Sequence, residues 1–151
     1  MKKFLNIFAA LLLAVVSTSC LEHDLEELDL HSGCDVTNGN VYYRYISDEV
    51  HPGTGENKVK QVYLAAARTQ DLETNTYTIR YVTTNIPEEK RASFQESAVV
   101  VLTVSTAAIV KPVGDAPTLG VPGNWTKDNQ YDVIAADGTT KRWTIHIEPD
   151  Q

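Results

Sequence analysis

The chain ends in a strict alternation of apolar and polar residues, and this pattern constrains its fold more than any other. Residues 141–147 read Lys-Arg-Trp-Thr-Ile-His-Ile, which places the Trp and both Ile on one face of an extended strand. The turn before them contains Asp137-Gly138, a pair that suits the positive φ angles of tight hairpins. Residues 131–136 are rich in β-forming side chains. These features predict an antiparallel hairpin with one buried face, in which Trp143 belongs to the core.

Further segments upstream carry the same β signature. They are dense in Val, Ile, Tyr and Thr, and they cover residues 41–46, 76–83 and 98–102. Residues 59–67 fit a helix by the spacing of their apolar positions, but their short length and their neighbours favour a strand. The run that begins at residue 98 is too long for one strand, so we expect a bend near Ser105-Thr106. About seven short strands at this spacing predict an all-β fold, an immunoglobulin-like antiparallel β-sandwich over residues 36–148.

The first nineteen residues have the composition of an export signal. Lys2 and Lys3 precede an apolar run over residues 4–16 that only Asn6 interrupts. A membrane-spanning helix needs about 20 apolar residues, so this run is too short to span a membrane. It fits the apolar region of a secretory signal instead. We predict that residues 1–19 are a signal peptide.

Residues 17–20, Ser-Thr-Ser-Cys, resemble the lipobox of bacterial lipoproteins. In that family the signal is cut before the cysteine, whose sulfur and new amino group are then acylated. The resemblance implies lipidation at Cys20, with Ser17 standing where the pattern usually has Leu. Two or more acyl chains on one residue give a stable membrane anchor, whereas a single chain gives only marginal binding. The alternative is an ordinary secreted protein that is cut near Ser19.

An acidic segment follows the lipobox. Five of the ten residues at positions 21–30 are Asp or Glu. We predict that residues 20–35 form a flexible, lipidated tether that holds the domain away from the membrane. Acidic residues directly after a lipidated cysteine resemble the export signal that sends Bacteroidetes lipoproteins to the cell surface. This resemblance implies a cell-envelope protein in the outer membrane that is exposed at the surface.

Several classes of function lack their sequence signatures. The formal net charge of −7 argues against nucleic acid, which would be bound mainly through its phosphates. The His residues lack the spacing of a zinc site, and the Asp and Asn residues near positions 35–40 and 128–132 follow no calcium-loop pattern. No nucleophile elbow, phosphate loop or dinucleotide fingerprint occurs. We therefore predict no enzyme, no cofactor and no metal, and we expect Cys34 to be a buried, inert thiol.

Aromatic side chains are the remaining candidates for ligand binding. Sugar-binding sites often use an exposed Trp or Tyr ring, because the C–H groups of a pyranose pack against it. Trp125 lies in a loop rich in Pro and Gly, which makes it the better candidate for exposure of the two Trp residues; the alternative, which the sequence favours at least as much, is that it folds down and covers the sandwich. Tyr42 and Arg44 share one face of their strand, opposite two further tyrosines. We expect one of these two faces to be exposed.

Residues 131–145 resemble the closing hairpin of immunoglobulin-like and cadherin-like β-sandwich modules in Bacteroidetes surface lipoproteins. These modules often read as a Tyr-led strand, an Asp-Gly-Thr turn, a Lys, and then an aromatic residue with alternating Thr and Ile. Many such proteins lie near glycan-uptake systems, and many have no assigned activity. The resemblance implies a domain of unknown function that is accessory to glycan binding or uptake. The alternative is a structural or adhesive module that contacts another envelope protein, because a fold alone does not decide function.

Overall fold

The computed structural model describes residues 31–64 and 67–150. The predicted signal peptide, Cys20 and most of the predicted tether lie outside these residues. In chain order the elements are β1 Val36–Val50, β2 Asn57–Leu64, β3 Arg68–Asp71, β4 Thr76–Tyr81, α1 Glu88–Arg91, a 3₁₀ turn Phe94–Glu96, β5 Ala98–Val104, β6 Ile109–Pro112, β7 Pro122–Gly123, β8 Asn129–Ile134 and β9 Thr140–Pro149. Within the described ranges, no helix has the length and apolar character needed to cross a membrane.

The strands form two sheets, which confirms the predicted all-β sandwich. Sheet 1 has the order β2-β1-β5-β7, and sheet 2 has the order β3-β4-β9-β8-β6. The short strands β3 and β7 were not predicted, because neither segment alternates apolar with polar residues. The pairing is antiparallel with one exception, since β4 and β9 run parallel. Parallel neighbours need a long connection, and here the chain builds β5 and β7 of sheet 1 and β6 and β8 of sheet 2 between the two strands.

The inner faces of the two sheets meet in one hydrophobic core. Alternate residues of β4 and β9 are buried there, as their sequence pattern predicts: Tyr77, Ile79, Tyr81, Trp143, Ile145 and Ile147. β1 approaches β4 closely at Gly39, where a Cβ atom would lie 2.6 Å from the Cδ1 atom of Ile79. The absence of a side chain at Gly39 therefore sets the spacing of the sheets at this point.

The apolar run that begins at residue 98 bends where the sequence predicts. β5 ends at Val104, Ala107 has a positive φ of 62°, and β6 begins at Ile109. Burial on both sides holds only for residues 98–100. Beyond Ala98 and Val99, which pair with β7, β5 has no second neighbouring strand in sheet 1.

The packed part of the chain begins at Cys34, two residues before the predicted domain boundary. The thiol of Cys34 is buried, as predicted, and its carbonyl oxygen accepts a hydrogen bond from Nε1 of Trp143 at 2.9 Å. The backbone N–H of Asp35 donates to Oγ of Ser105 at 3.0 Å, and the backbone N–H of Ser105 donates to the carbonyl of Asp35 at 2.9 Å. The Asp35 carboxylate pairs with Lys141 at 2.6 Å. These bonds attach the end of the predicted tether to β9 and to the bend after β5.

Candidate binding face

The outer face of sheet 2 is polar, and two of its arginines are paired with carboxylates. Arg80 lies 2.7 Å from Glu148 and Arg142 lies 2.8 Å from Asp132, while Nδ1 of His146 lies 2.6 Å from a carboxylate oxygen of Asp128. The hydrogen bond from Arg142 holds the pKa of Asp132 below its ordinary value, and the hydrogen bond from Arg80 does the same for the pKa of Glu148. The charges of Arg80 and Arg142 are therefore compensated by side chains of the same face.

The outer face of sheet 1 has a different character where β1 and β2 pair. The register places Tyr42 opposite Tyr63, Arg44 opposite Gln61, and Ile46 opposite Val59. We name these six residues the Tyr42 face. Ile46 is 71% exposed, Val59 63% and Tyr63 44%, so an aliphatic pair and an aromatic ring lie open to solvent. Exposed apolar groups that cluster in this way are typical of interaction sites.

The two tyrosines of this face pack edge to face. The ring centroids of Tyr42 and Tyr63 are 5.6 Å apart, and their planes meet at 61°. The hydroxyl oxygen of Tyr63 accepts a hydrogen bond from Nη2 of Arg68 at 2.8 Å, which fixes the more exposed ring from its far end. Aromatic pairs in this geometry add about 0.5–1.5 kcal/mol beyond the area they bury. Both rings are therefore held in place before any ligand arrives.

Arg44 lies at the centre of the Tyr42 face and is held by neutral acceptors. Its Nε and Nη2 donate to Oε1 of Gln61 at 3.0 and 2.7 Å, and Nη2 also donates to the carbonyl of Gly120 at 3.0 Å. Gly120 is itself fixed, because its N–H donates to the carbonyl of Val100 at 2.8 Å. In the part of the chain that the structure describes, no carboxylate oxygen lies within 4.0 Å of the Arg44 guanidinium nitrogens.

The structure confirms that Tyr42 and Arg44 share a face. The opposite face of the strand carries Tyr43 and Tyr45. Tyr43 packs edge-on against Phe94, with ring centroids 6.2 Å apart, and Tyr45 stacks on Tyr43 at 5.3 Å. Beyond Tyr42, β1 pairs only with β2, because its pairing with β5 ends there. The Tyr42 face therefore extends onto a two-stranded arm at the end of sheet 1.

The predicted exposure of Trp125 is wrong. The side chain is 2% exposed and stacks on Tyr131, with ring centroids 6.0 Å apart and planes 15° apart. Its loop is held against the sandwich, since Gly123 lies so close to Pro117 that a Cβ atom would be 2.3 Å from the proline Cβ. The alternative in which this Trp folds down and covers the sandwich is the correct one. A buried ring offers no surface for a sugar, so Trp125 is not part of the binding face.

Sequence reasoning did not find four residues of the Tyr42 face, namely Ile46, Val59, Gln61 and Tyr63. Three of them lie in the segment that fits either a helix or a strand. Their common face becomes visible only when the segment is read as a strand and set in register against β1. The alternation Val-x-Gln-x-Tyr at positions 59–63 is the signal that would have shown it.

A depression of about 400 Å³ lies at the ends of β4 and β9. It is lined by Arg80, Glu148, Pro149 and Asp150, and its charged groups include the Arg80–Glu148 pair. Across residues 31–64 and 67–150, no group of three or more His, Cys, Asp and Glu side chains could hold a metal ion. The Tyr42 face is therefore the stronger candidate for a site.

The family profile described as DUF5018-related matches residues 36–146. The chain belongs to the DUF5018-related family. This assignment agrees with the domain of unknown function that the closing hairpin implied. The match covers all six residues of the Tyr42 face.

The DUF5018-related chain is similar to a solved protein from Bacteroides fragilis NCTC 9343 that is provisionally named as secreted. The two are 33% identical with a TM-score of 0.70, over 80% of this chain and 98% of that one. A provisionally named glycoside hydrolase from Bacteroides thetaiotaomicron VPI-5482 is 16% identical with a TM-score of 0.46, over 83% of this chain and 27% of that one. No curated protein matches the chain. The first similarity agrees with a location in the envelope or outside the cell, and the second is too distant to carry an argument about activity.

Proposed function

We propose that this DUF5018-related chain is a non-enzymatic lipoprotein of the outer membrane, anchored through Cys20 and exposed at the cell surface, whose Tyr42 face binds a glycan. The observation that carries the proposal is the contrast between the two outer faces. Sheet 2 pairs Arg80 and Arg142 with carboxylates, whereas sheet 1 exposes a fixed aromatic ring beside polar groups. The similarity to a Bacteroides protein named as secreted supports a location in the envelope.

The chemistry of the Tyr42 face suits a sugar. A pyranose presents apolar C–H groups on one face and hydroxyl groups around its rim, so it needs a ring next to hydrogen-bonding groups. Tyr63 supplies the ring, and the side chains of Arg44 and Gln61 adjoin it in the same sheet register. Because these two side chains already hold each other, little conformational entropy is lost when a ligand binds.

The state of two carboxyl groups on sheet 2 supports a role without catalysis. Glu148 and Asp132 are each bound by an arginine, which lowers the pKa of both carboxyl groups. A carboxyl group with a lowered pKa is ionised at neutral pH and is a poor general acid, the role that sugar hydrolysis requires of one of its two carboxyl groups.

A glycan array with the full-length protein in detergent tests the proposal. We expect binding to at least one class of glycan and a loss of about ten-fold in affinity for Tyr63→Ala, the usual effect of removing a central aromatic contact. Tyr45→Ala is the matched control, because Tyr45 is another exposed tyrosine of the same strand pair but faces the opposite side. Absence of binding to any glycan would refute the proposal, and equal losses in both variants would remove the Tyr42 face as the site.

The aliphatic pair of the Tyr42 face favours a second function, contact with another envelope protein. Ile46 and Val59 lie directly opposite each other and are the two most exposed large apolar side chains among the described residues. Protein interfaces bury such side chains at their centre. If a protein partner exists, Ile46→Lys should abolish its capture from solubilised outer membranes, while Ile109→Lys should not. Ile109 is a suitable control because it is 56% exposed but lies on the edge strand of sheet 2.

A further inference from the structure

Arg44 differs from the arginines on the opposite side of the sandwich. Arg80 and Arg142 each bind a carboxylate, at 2.7 and 2.8 Å, so their charges are compensated within the protein. Arg44 is half-buried, yet each of its protein acceptors is a neutral oxygen. Neutral oxygens hold the guanidinium in place without cancelling its charge.

The surroundings of Arg44 on its own face are also uncharged. The positions that share the outer face in β1 and β2, from Tyr42 to Ile46 and from Val59 to Tyr63, contain no acidic side chain. Asp48 and Glu49 lie in the irregular stretch between Ile46 and Val50, where the register with β2 shifts, and Glu49 is already bound by Lys60 and by Lys58. A half-buried cation without a counter-charge is costly, and an anion brought by a ligand would offset that cost.

We infer that the glycan bound by the Tyr42 face is acidic, a sugar bearing a carboxylate or sulfate group, and that Arg44 binds this anion. This inference rests on the proposed glycan-binding function and gives its ligand a chemical class. Nε and Nη2 of Arg44 are used by Gln61 and Gly120, and Nη1 has no acceptor within residues 31–64 and 67–150. Hydrogen bonds from a guanidinium to an anion are shorter and about twice as strong as neutral ones. Tyr63 then packs against the sugar ring that carries the anion.

Binding of an acidic glycan at the Tyr42 face does not require a basic protein. The formal net charge is −7, which would slow the approach of an anionic glycan from a distance. Charges separated by more than about 8–10 Å are largely screened at physiological ionic strength, whereas contact with Arg44 is direct. Selectivity for the anion is therefore a local property of the Tyr42 face.

The test compares acidic glycans with their neutralised counterparts on the full-length protein in detergent. Oligogalacturonides are measured against the same oligomers after reduction of the carboxyl group to a hydroxymethyl group, and a sulfated galactan that contains no carboxyl groups is measured against its desulfated form. The two arms distinguish carboxylate from sulfate. We expect one acidic form to bind at least about ten-fold more tightly than its neutralised form, as a charge-assisted hydrogen bond predicts.

Variants assign the selectivity to Arg44. Arg44→Gln should remove the preference for the acidic form, because it lowers the affinity for the acidic form far more than the affinity for the neutralised form. Arg44→Lys keeps the charge and should retain part of the preference even if the hydrogen bonds to Gln61 and Gly120 are lost. Arg142→Gln, on the opposite side of the sandwich, is the control and should change neither affinity.

The outcomes separate the inference from the function on which it rests. Equal binding of acidic and neutralised forms by the wild-type protein would overturn the inference and leave glycan binding intact. A preference for the acidic form that survives Arg44→Gln would also overturn it. Absence of binding to all four probes and to every glycan of the array would overturn the proposed function itself.

Discussion

The indole nitrogen of Trp143 donates a hydrogen bond to the carbonyl oxygen of Cys34, 2.9 Å away in space and 109 positions away in the sequence. Both residues are buried. The bond joins the first packed residue of the domain to its last strand. It closes the sandwich and fixes the point at which the predicted tether ends.

Replacing Trp143 with Phe should destabilise the domain by more than the same change at Trp125. Trp143→Phe leaves the buried carbonyl of Cys34 without its donor, which costs about 1–3 kcal/mol. Trp125 is the matched control, because its Nε1 is buried and has no acceptor within the described residues, so Trp125→Phe loses no hydrogen bond. Urea denaturation of the full-length protein measures the difference in the free energy of unfolding. Equal losses would show that the bond to Cys34 contributes nothing.

Gly39→Ala should destabilise the domain because the new methyl group would meet sheet 2. Its Cβ would lie 2.6 Å from Cδ1 of Ile79 and 3.0 Å from Cε1 of Tyr77. Overpacking of this kind costs about 1–3 kcal/mol. Ile79→Val removes the Cδ1 atom, so the cost of Gly39→Ala should be smaller in that background, as a double-mutant cycle by urea denaturation would measure. Strict additivity of the two changes would contradict the proposed contact.

The Arg142–Asp132 pair should make stability depend on pH in the acid range. The hydrogen bond from Arg142 lowers the pKa of Asp132 from its ordinary value of 3.8. A carboxyl group whose pKa is lowered in the folded state adds stability above its unfolded pKa, and this contribution is lost as the pH falls through the folded pKa. The melting temperature of Asp132→Asn should therefore fall less steeply than that of the wild-type protein below a pH of about 4.

Arg142→Gln should reproduce the flatter acid profile of Asp132→Asn, because it removes the cause of the lowered pKa. The double variant should add nothing further to either single variant. Melting temperature recorded against pH for the wild-type protein and the three variants gives the answer. A wild-type profile with the same slope as all three variants would show that the pair does not contribute.

Lipidation at Cys20 is a prediction of the sequence, and the two cysteines give it a direct test. Cells that express the full-length protein are grown with an alkyne-bearing fatty acid, and the purified protein is then coupled to a fluorophore. Cys20→Ala should abolish labelling. Cys34→Ala should retain it, because the Cys34 thiol is buried in the domain. Label retained in Cys20→Ala would refute the anchor.

The positions of the strands that bury alternate residues in the core could be predicted, because burial of every second residue gives the sequence a period of two. β4 and β9 are the clearest examples, since alternate residues of both are buried, and the buried face of β9 agrees with the prediction residue for residue. β3 and β7 carry no such pattern, since backbone hydrogen bonds to a neighbouring strand place them rather than burial of their side chains. A pattern of hydrophobicity cannot report elements that form for that reason.

The candidate site was only partly predictable for a related reason. That Tyr42 and Arg44 share a face follows from strand geometry alone. That Tyr63 and Gln61 complete the face depends on the register between β1 and β2, which the sequence of neither strand specifies by itself. Trp125 shows the opposite error. Its loop is rich in Pro and Gly, a composition that indicated exposure. In the structure the ring is buried, because it contacts Tyr131 and because Gly123 approaches Pro117 closely.

β1 connects the attachment of the tether to the Tyr42 face in one continuous strand. Cys34 and Arg44 are ten residues apart, roughly 33 Å along an extended chain. A pulling force applied at Arg44 and resisted at Cys34 would act parallel to β1. The hydrogen bonds from β1 to β2 and β5 stand perpendicular to the strand, so the force would act across them. Those bonds would have to break together rather than one after another. With the ligand and the anchor that we propose, tension between them would therefore pass along β1.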